Sequence, residues 1–180
     1  MFLPCTHDGI WSGLLLNNQL ADFAAESVDK DGVPVANRVE PGKRPRSSMS
    51  PTLVFERGPD GTRGNPVLVT GSSGGSVIIQ FVVKTLVGML DWDLDPQQAV
   101  SAVSFGAANT PVTGVGGEHP AVDGSDDGAH DPLVVALRER GHQVSVAPQS
   151  SGLSALWRED DGWVGGADPR REGVVMGEHG

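Results

Sequence analysis

At 180 residues, with 38% apolar residues and 25 glycines, the chain is sized for one globular domain with a buried core. Its 23 acidic against 13 basic residues give a net charge of -10, which argues against nucleic acid and against an anionic membrane surface as partners. A single cysteine, Cys5, excludes an internal disulfide framework and a cysteine-rich zinc site.

The opening MFLPCTHDGIWSG has neither a basic start nor a long apolar stretch, so no signal peptide is expected there. Leu14–Leu16 predict a short apolar strand. Polar Asn17, Asn18 and Gln19 follow, then a helical turn that carries Asp22, which taken alone is an exposed charge. Residues 25–48 are rich in proline, glycine and charge and read as a long surface loop. Loops of that length are uncommon unless they do something. This one ends in KRPRSSMSPT, where Lys43, Arg44 and Arg46 precede Ser47 and Ser48. In so acidic a chain that cluster reads either as a solvated loop or as a pocket for a small carboxylate.

Thr52–Glu56 and Pro66–Thr70, separated by a Gly/Pro/Asp turn, predict an antiparallel hairpin covered on both faces. TGSSGGS, Thr70 to Ser76, breaks the second strand. The apolar run Val77–Leu90 then predicts a helix, from about Gly75 to Leu90, that is hydrophobic almost all round and packed between layers. The run contains Gln80 and Lys84 and is too short to span a bilayer comfortably. Asp95 and Pro96 carry the cap and first-turn signals of a second helix, and Asp131 and Pro132 those of a third that stops at Gly141. Residues 106–130 are glycine-rich and polar and read as a loose excursion. A strand in HQVSVAP and a second hairpin turning at Asp160–Gly162 complete the chain. Strands in hairpins with helices clustered between them make the class α+β, with antiparallel sheet.

TGSSGGS joins strand to helix. Gly74 and Gly75 let backbone N–H groups approach a ligand, and a helix start favours negative charge, so the turn suits an anion or an oxyanion. The same pattern also serves as a plain steric corner. It is not a phosphate loop, because the GK[ST] ending is missing. The five histidines lack zinc-ligand spacing, and no G-x-S-x-G elbow is present. The acidic DGSDDG reads as a solvated loop, not a calcium site. No pattern calls for a cofactor or a metal.

Four segments, LLNNQLADF, KRPRSSMSPT, TGSSGGS and GGADPRREG, in this order and spacing, resemble the small subunit of gamma-glutamyltransferases, also called glutathione hydrolases. The resemblance runs from about Leu14 to about Met176. It implies part of an N-terminal-nucleophile-hydrolase fold, a four-layer αββα sandwich, with residues 14–180 as the small-subunit-like domain behind an atypical segment 1–13. It implies that Ser47 and Ser48 hold the α-carboxylate of a γ-glutamyl group and that Asp22 holds its α-ammonium. Gln19 matches the glutamine of the same segment, and Gly74 and Gly75 match the oxyanion-hole pair. These pairings are chemically matched: hydroxyls with a carboxylate, a carboxylate with an ammonium, N–H groups with an oxyanion. Nothing carries a ligand role onto Lys43, Arg44 or Arg46. The implied partners are a γ-glutamyl small molecule such as glutathione and a separate large subunit. Members of the family are usually periplasmic or secreted.

The chain departs from the family at the nucleophile. That residue is a threonine, freed by self-cleavage, which opens a T-T-H segment well upstream of the LLNNQ-like segment. Here CTH, Cys5 to His7, echoes the motif with too short a gap behind it. Three functions therefore compete. The first is γ-glutamyl transfer or hydrolysis through a nucleophilic hydroxyl, with this chain a fragment lacking that group. The second is a non-catalytic remnant or split subunit that binds γ-glutamyl ligands. The third is a related acylase acting on β-lactam side chains.

Overall fold

The computed structural model describes residues 6–7, 10–11, 19–108 and 110–177. The chain forms two compact units, Met1–Ser47 and Ser48–Gly180. The strand expected at Leu14–Leu16 lies outside the described residues, as does Cys5. Thr6 is described by its backbone alone.

In the first unit, β1 (Thr6–His7) pairs antiparallel with β2 (Ile10–Trp11). A 3-10 turn spans Gln19–Asp22, where a helical turn was expected. Among the described residues of this unit none is in a buried apolar core, and backbone and side-chain hydrogen bonds hold the loop behind the turn. The Asp29 carboxylate accepts from the N–H groups of Asp31 and Val33, both at 2.9 Å, which closes a turn beside the bridge between Val28 and Pro34.

The second unit has two sheets. β3 (Thr52–Arg57) and β4 (Arg63–Gly71) form the expected hairpin, Thr52 opposite Thr70 and Val54 opposite Leu68. The register slips around Phe55, which faces Pro66, a residue with no N–H to give the ladder. β8 (Ser154–Glu159) joins the other side of β4, and β9 (Gly162–Ala167) closes the four-stranded order β3-β4-β8-β9, all antiparallel. One face packs on α1 (Ile78–Asp91) and α2 (Pro96–Ser101). There Leu68, Phe81, Met89, Ala99, Val100, Leu153 and Ala155 make the main core, with Val54 and Trp157 against it. Each of the buried leucine, phenylalanine, methionine and valine side chains contributes about 1.5–3 kcal/mol by leaving water.

Two expectations need correction here. The hairpin is not covered on both faces: Leu53 is 56% and Leu156 is 39% exposed. They share a row with Val69, and alternation turns that row away from the helices. Nor is α1 enclosed all round. Its buried residues, among them Ile78, Phe81, Val82, Thr85 and Met89, recur at helical spacing, while Ile79 and Val83 are each 51% exposed.

The second sheet corrects a third. Residues 106–130 are not merely an excursion: β5 (Phe105–Gly106) and β6 (Val112–Gly116) pair antiparallel, and β6 runs parallel to β7 (Gln143–Ala147). The crossover between them is α3 (Pro132–Glu139). The sheet content is therefore not purely antiparallel. Val115, Val122 and Val134 make its small core. Both aspartate caps form as expected. Asp95 accepts from Gln98 N–H at 2.8 Å, and Asp131 from Leu133 and Val134 N–H at 2.9 and 3.0 Å. Gly141, at φ +90°, stands at the expected stop.

Candidate functional site

In the first unit, Asn37 organises two of the expected ligand residues. Its Nδ2 donates to the carbonyl oxygen of Asp22 at 2.7 Å, and its Oδ1 accepts from the N–H of Arg46, one residue before Ser47, at 2.9 Å. Its own carbonyl accepts from Ala24 N–H at 2.9 Å. One amide thus ties the 3-10 turn bearing Gln19 and Asp22 to the chain leading into Ser47. Asp22 is half-buried, while Gln19 and Ser47 are exposed. The positive charge before Ser47 is partly answered locally. Lys43 Nζ lies 3.0 Å from Glu40 Oε2, and this hydrogen bond, helped by Arg38, outweighs burial and holds the Glu40 carboxyl below its ordinary range.

In the second unit, the corner between β4 and α1 carries Gly74 and Gly75. Gly74 sits at φ +135° and Gly75 at φ +65°, both in the region that side chains avoid. A Cβ on Gly74 would meet the Phe81 ring at 2.6 Å, so the backbone lies directly on the core. Gly75 begins a 3-10 turn, Gly75–Val77, that leads into α1. Among the described residues no side chain caps that start. The Ser48 hydroxyl donates to the carbonyl oxygen of Gly75 at 2.5 Å, so two of the expected site residues meet although 27 positions separate them.

A buried polar knot stands behind this corner, built on Asp168, which follows β9 and is 2% exposed. One carboxylate oxygen accepts from the Ser151 hydroxyl and, at 3.1 Å, from Leu153 N–H. The other accepts from the N–H and the Nη1 of Arg170, both at 3.0 Å. Burial pushes this carboxyl up, but these donors outweigh it and hold Asp168 below the usual range. Arg170 also reaches Glu118 at 2.8 Å and the carbonyls of Val100 and Ala102. Lys84, 6% exposed, donates to Ala102 at 2.8 Å. Burial, and then the nearby Arg170, lower its pKa to about 8. Ser73, Gly152, Asp168, Arg171 and Val175 line an open cleft of about 500 Å³ beside the corner.

Sequence reasoning gave no role to Asn37, Ser72, Ser151 or Asp168. The segment GGADPRREG marked Asp168 only as part of a resemblance. Asn37 lies in a loop rich in proline, glycine and charge, and nothing in that local pattern marks its amide. Among the described residues no cluster of three or more His, Cys, Asp or Glu is placed to hold a metal.

The family model for gamma-glutamyltranspeptidase matches residues 10–178. The glutathione hydrolase proenzyme of Escherichia coli K12 is 45% identical over 168 residues, which is 88% of this chain and 26% of that protein. The chain thus spans about a quarter of the length of the curated relatives it matches. Among solved structures, the gamma-glutamyltranspeptidase of Pseudomonas nitroreducens complexed with L-DON superposes with a TM-score of 0.70 at 25% identity, covering 93% of this chain and 83% of that one. The T380A mutant of the Helicobacter pylori gamma-glutamyltranspeptidase does so at 0.67 and 28%, covering 93% and 86%. A family match over nearly all of the residues, together with a mixed α+β fold shared with these enzymes, shows that the chain belongs to the gamma-glutamyltranspeptidase family.

Proposed function

We propose that this chain recognises the γ-glutamyl group of a small donor such as glutathione and supplies the binding and oxyanion-stabilising half of γ-glutamyl transfer or hydrolysis. Asp22 takes the α-ammonium, with Gln19 on the same turn. Ser47 and Ser48 take the α-carboxylate. The N–H groups of Gly74 and Gly75 receive the negative charge that forms on the carbonyl oxygen as the acyl carbon becomes tetrahedral. The single observation that carries this reading is the bond from Ser48 to Gly75, which joins an expected carboxylate ligand to the expected oxyanion turn.

The attacking hydroxyl comes from a part of the enzyme other than the residues given roles here, and these 180 residues by themselves do not turn over substrate. A separate large subunit is the proposed protein partner. The exposed row of Leu53 and Leu156 suits the second sheet of an αββα sandwich.

The test is calorimetric titration of the chain with free glutamate. Binding that weakens in Asp22→Ala and in Ser48→Ala is expected. Equal heats from all three proteins, or none, remove the proposal. Release of amine from a β-lactam side-chain amide, with no glutamate binding, would assign the acylase activity instead.

A further inference from the structure

The Gly74 N–H does not stand alone. It belongs to the peptide unit that also contains the carbonyl of Ser73. That unit is trans and planar, so whatever fixes the carbonyl fixes the N–H in the opposite direction. The Ser72 hydroxyl donates to the Ser73 carbonyl oxygen at 2.6 Å. The same Ser72 oxygen accepts from the N–H of Gly152 at 3.2 Å. A hydroxyl has one proton and two lone pairs, so the incoming Gly152 N–H leaves its proton to aim at Ser73.

Gly152 is held in turn by its neighbours. Asp168 grips the residues on both sides of it, through the Ser151 hydroxyl and the Leu153 N–H. Asp168 N–H also donates to the Leu153 carbonyl at 2.9 Å, and Arg171 Nε to the Ser151 carbonyl at 3.0 Å. Packing enforces the same contact: a Cβ on Gly152 would meet the Ser73 hydroxyl at 2.3 Å, and one on Gly74 would lie 3.4 Å from the Ser150 carbonyl.

We infer that Ser72 and Asp168 are positioning residues, which aim the Gly74 N–H through the relay Asp168, Ser151–Leu153, Gly152 N–H, Ser72 hydroxyl and Ser73 carbonyl. The consequence for chemistry rests on the proposed role of Gly74 as an oxyanion donor; the relay itself does not. A preorganised donor costs no reorientation when charge develops, and this is what a buried carboxylate immediately after β9 provides to a turn before α1.

Amide NMR of the labelled chain tests this. Ser72→Ala is expected to displace the Gly74 amide signal well beyond its line width and to speed hydrogen exchange at Gly152 about tenfold, as for one lost hydrogen bond. Core amides of Leu68 and Val115 should not move. Ser72→Thr, which restores the hydroxyl, should return both signals. Asp168→Asn should displace Gly74 in the same direction. Should that variant fail to fold, Ser151→Ala, which deletes one donor to Asp168, carries the same expectation with a smaller shift. An unmoved Gly74 signal in Ser72→Ala, or no recovery with threonine, overturns the relay. Glutamate titration of the unaltered chain is the separate arm: no binding there removes the proposed function and leaves the relay standing.

Discussion

The Ser48 hydroxyl donates its proton to the Gly75 carbonyl oxygen, which also accepts from the N–H of Ile78 at the start of α1. Ser48 therefore ends the loop, holds the turn and remains half-buried at its surface. To bind a carboxylate it must re-aim that proton, and the Gly75 oxygen keeps one partner when it does. Ser48→Ala is accordingly expected to weaken glutamate binding about tenfold while costing less than about 1 kcal/mol of stability. Calorimetry and denaturant unfolding read the two separately. A large stability loss with unchanged affinity would make Ser48 a structural residue.

Asn37 holds the Asp22 carbonyl and the Arg46 N–H together. Asn37→Ala should weaken glutamate binding nearly as much as Asp22→Ala, although Asn37 is assigned no ligand contact. Asn37→Asp should not restore it, because a carboxylate cannot donate to the Asp22 carbonyl. Full affinity in Asn37→Ala would show that the loop keeps its course without this amide.

Gly74 and Gly75 differ in what they forbid. Gly75 has open space around it, so Gly75→Ala pays only for its left-handed backbone, about 1–2 kcal/mol. Gly74→Ala adds a collision with the Phe81 ring and should cost roughly 2–4 kcal/mol. Chemical denaturation ranks the two. Equal costs would mean that Phe81 yields freely, which its 1% exposure argues against.

Lys84 predicts a pH dependence with a definite sign. Burial lowers its pKa from 10.5 in the unfolded chain to about 8 in the folded one, with Arg170 adding to the shift and Asp168 and Glu118 opposing it. Between those values the unfolded chain binds more protons, so stability rises with pH across that window and is flat below it. Lys84→Met leaves the Ala102 carbonyl bonded to Arg170 at 3.0 Å. The variant should therefore be more stable at neutral pH by roughly 1–3 kcal/mol, an advantage that fades towards pH 10.5. A difference that stays flat from neutral pH upward, measured by urea unfolding, would contradict the assignment.

Purified alone, the 180-residue chain should release no amine from a γ-glutamyl anilide above a blank. Loss of the attacking group costs several orders of magnitude even where oxyanion donors remain. Turnover abolished by Cys5→Ala or by Thr6→Ala would instead assign the nucleophile to the CTH segment.

Local signals reached far in this chain. Proline after aspartate placed both helix starts, because a carboxylate cap and a missing N–H act within one turn. Apolar runs on either side of a Gly/Pro/Asp turn, and the turn at Asp160–Gly162, placed both hairpins of the four-stranded sheet. The family resemblance singled out Ser47, Ser48, Gly74 and Gly75 by motif. What lay beyond local pattern was pairing at a distance. β6 was hidden in a glycine-rich stretch because its ladder is made with β7, on the far side of α3, and a parallel partner leaves no turn signature beside the strand. The exposed faces of α1 and of the Leu53 row were invisible because apolar residues look alike whether a neighbouring layer covers them or not. Asn37, Ser72 and Asp168 were missed for a related reason. Their importance lies in which carbonyl and N–H groups come within hydrogen-bond distance, and only the folded chain brings Asp168 to Ser151 and Gly152 to Ser72.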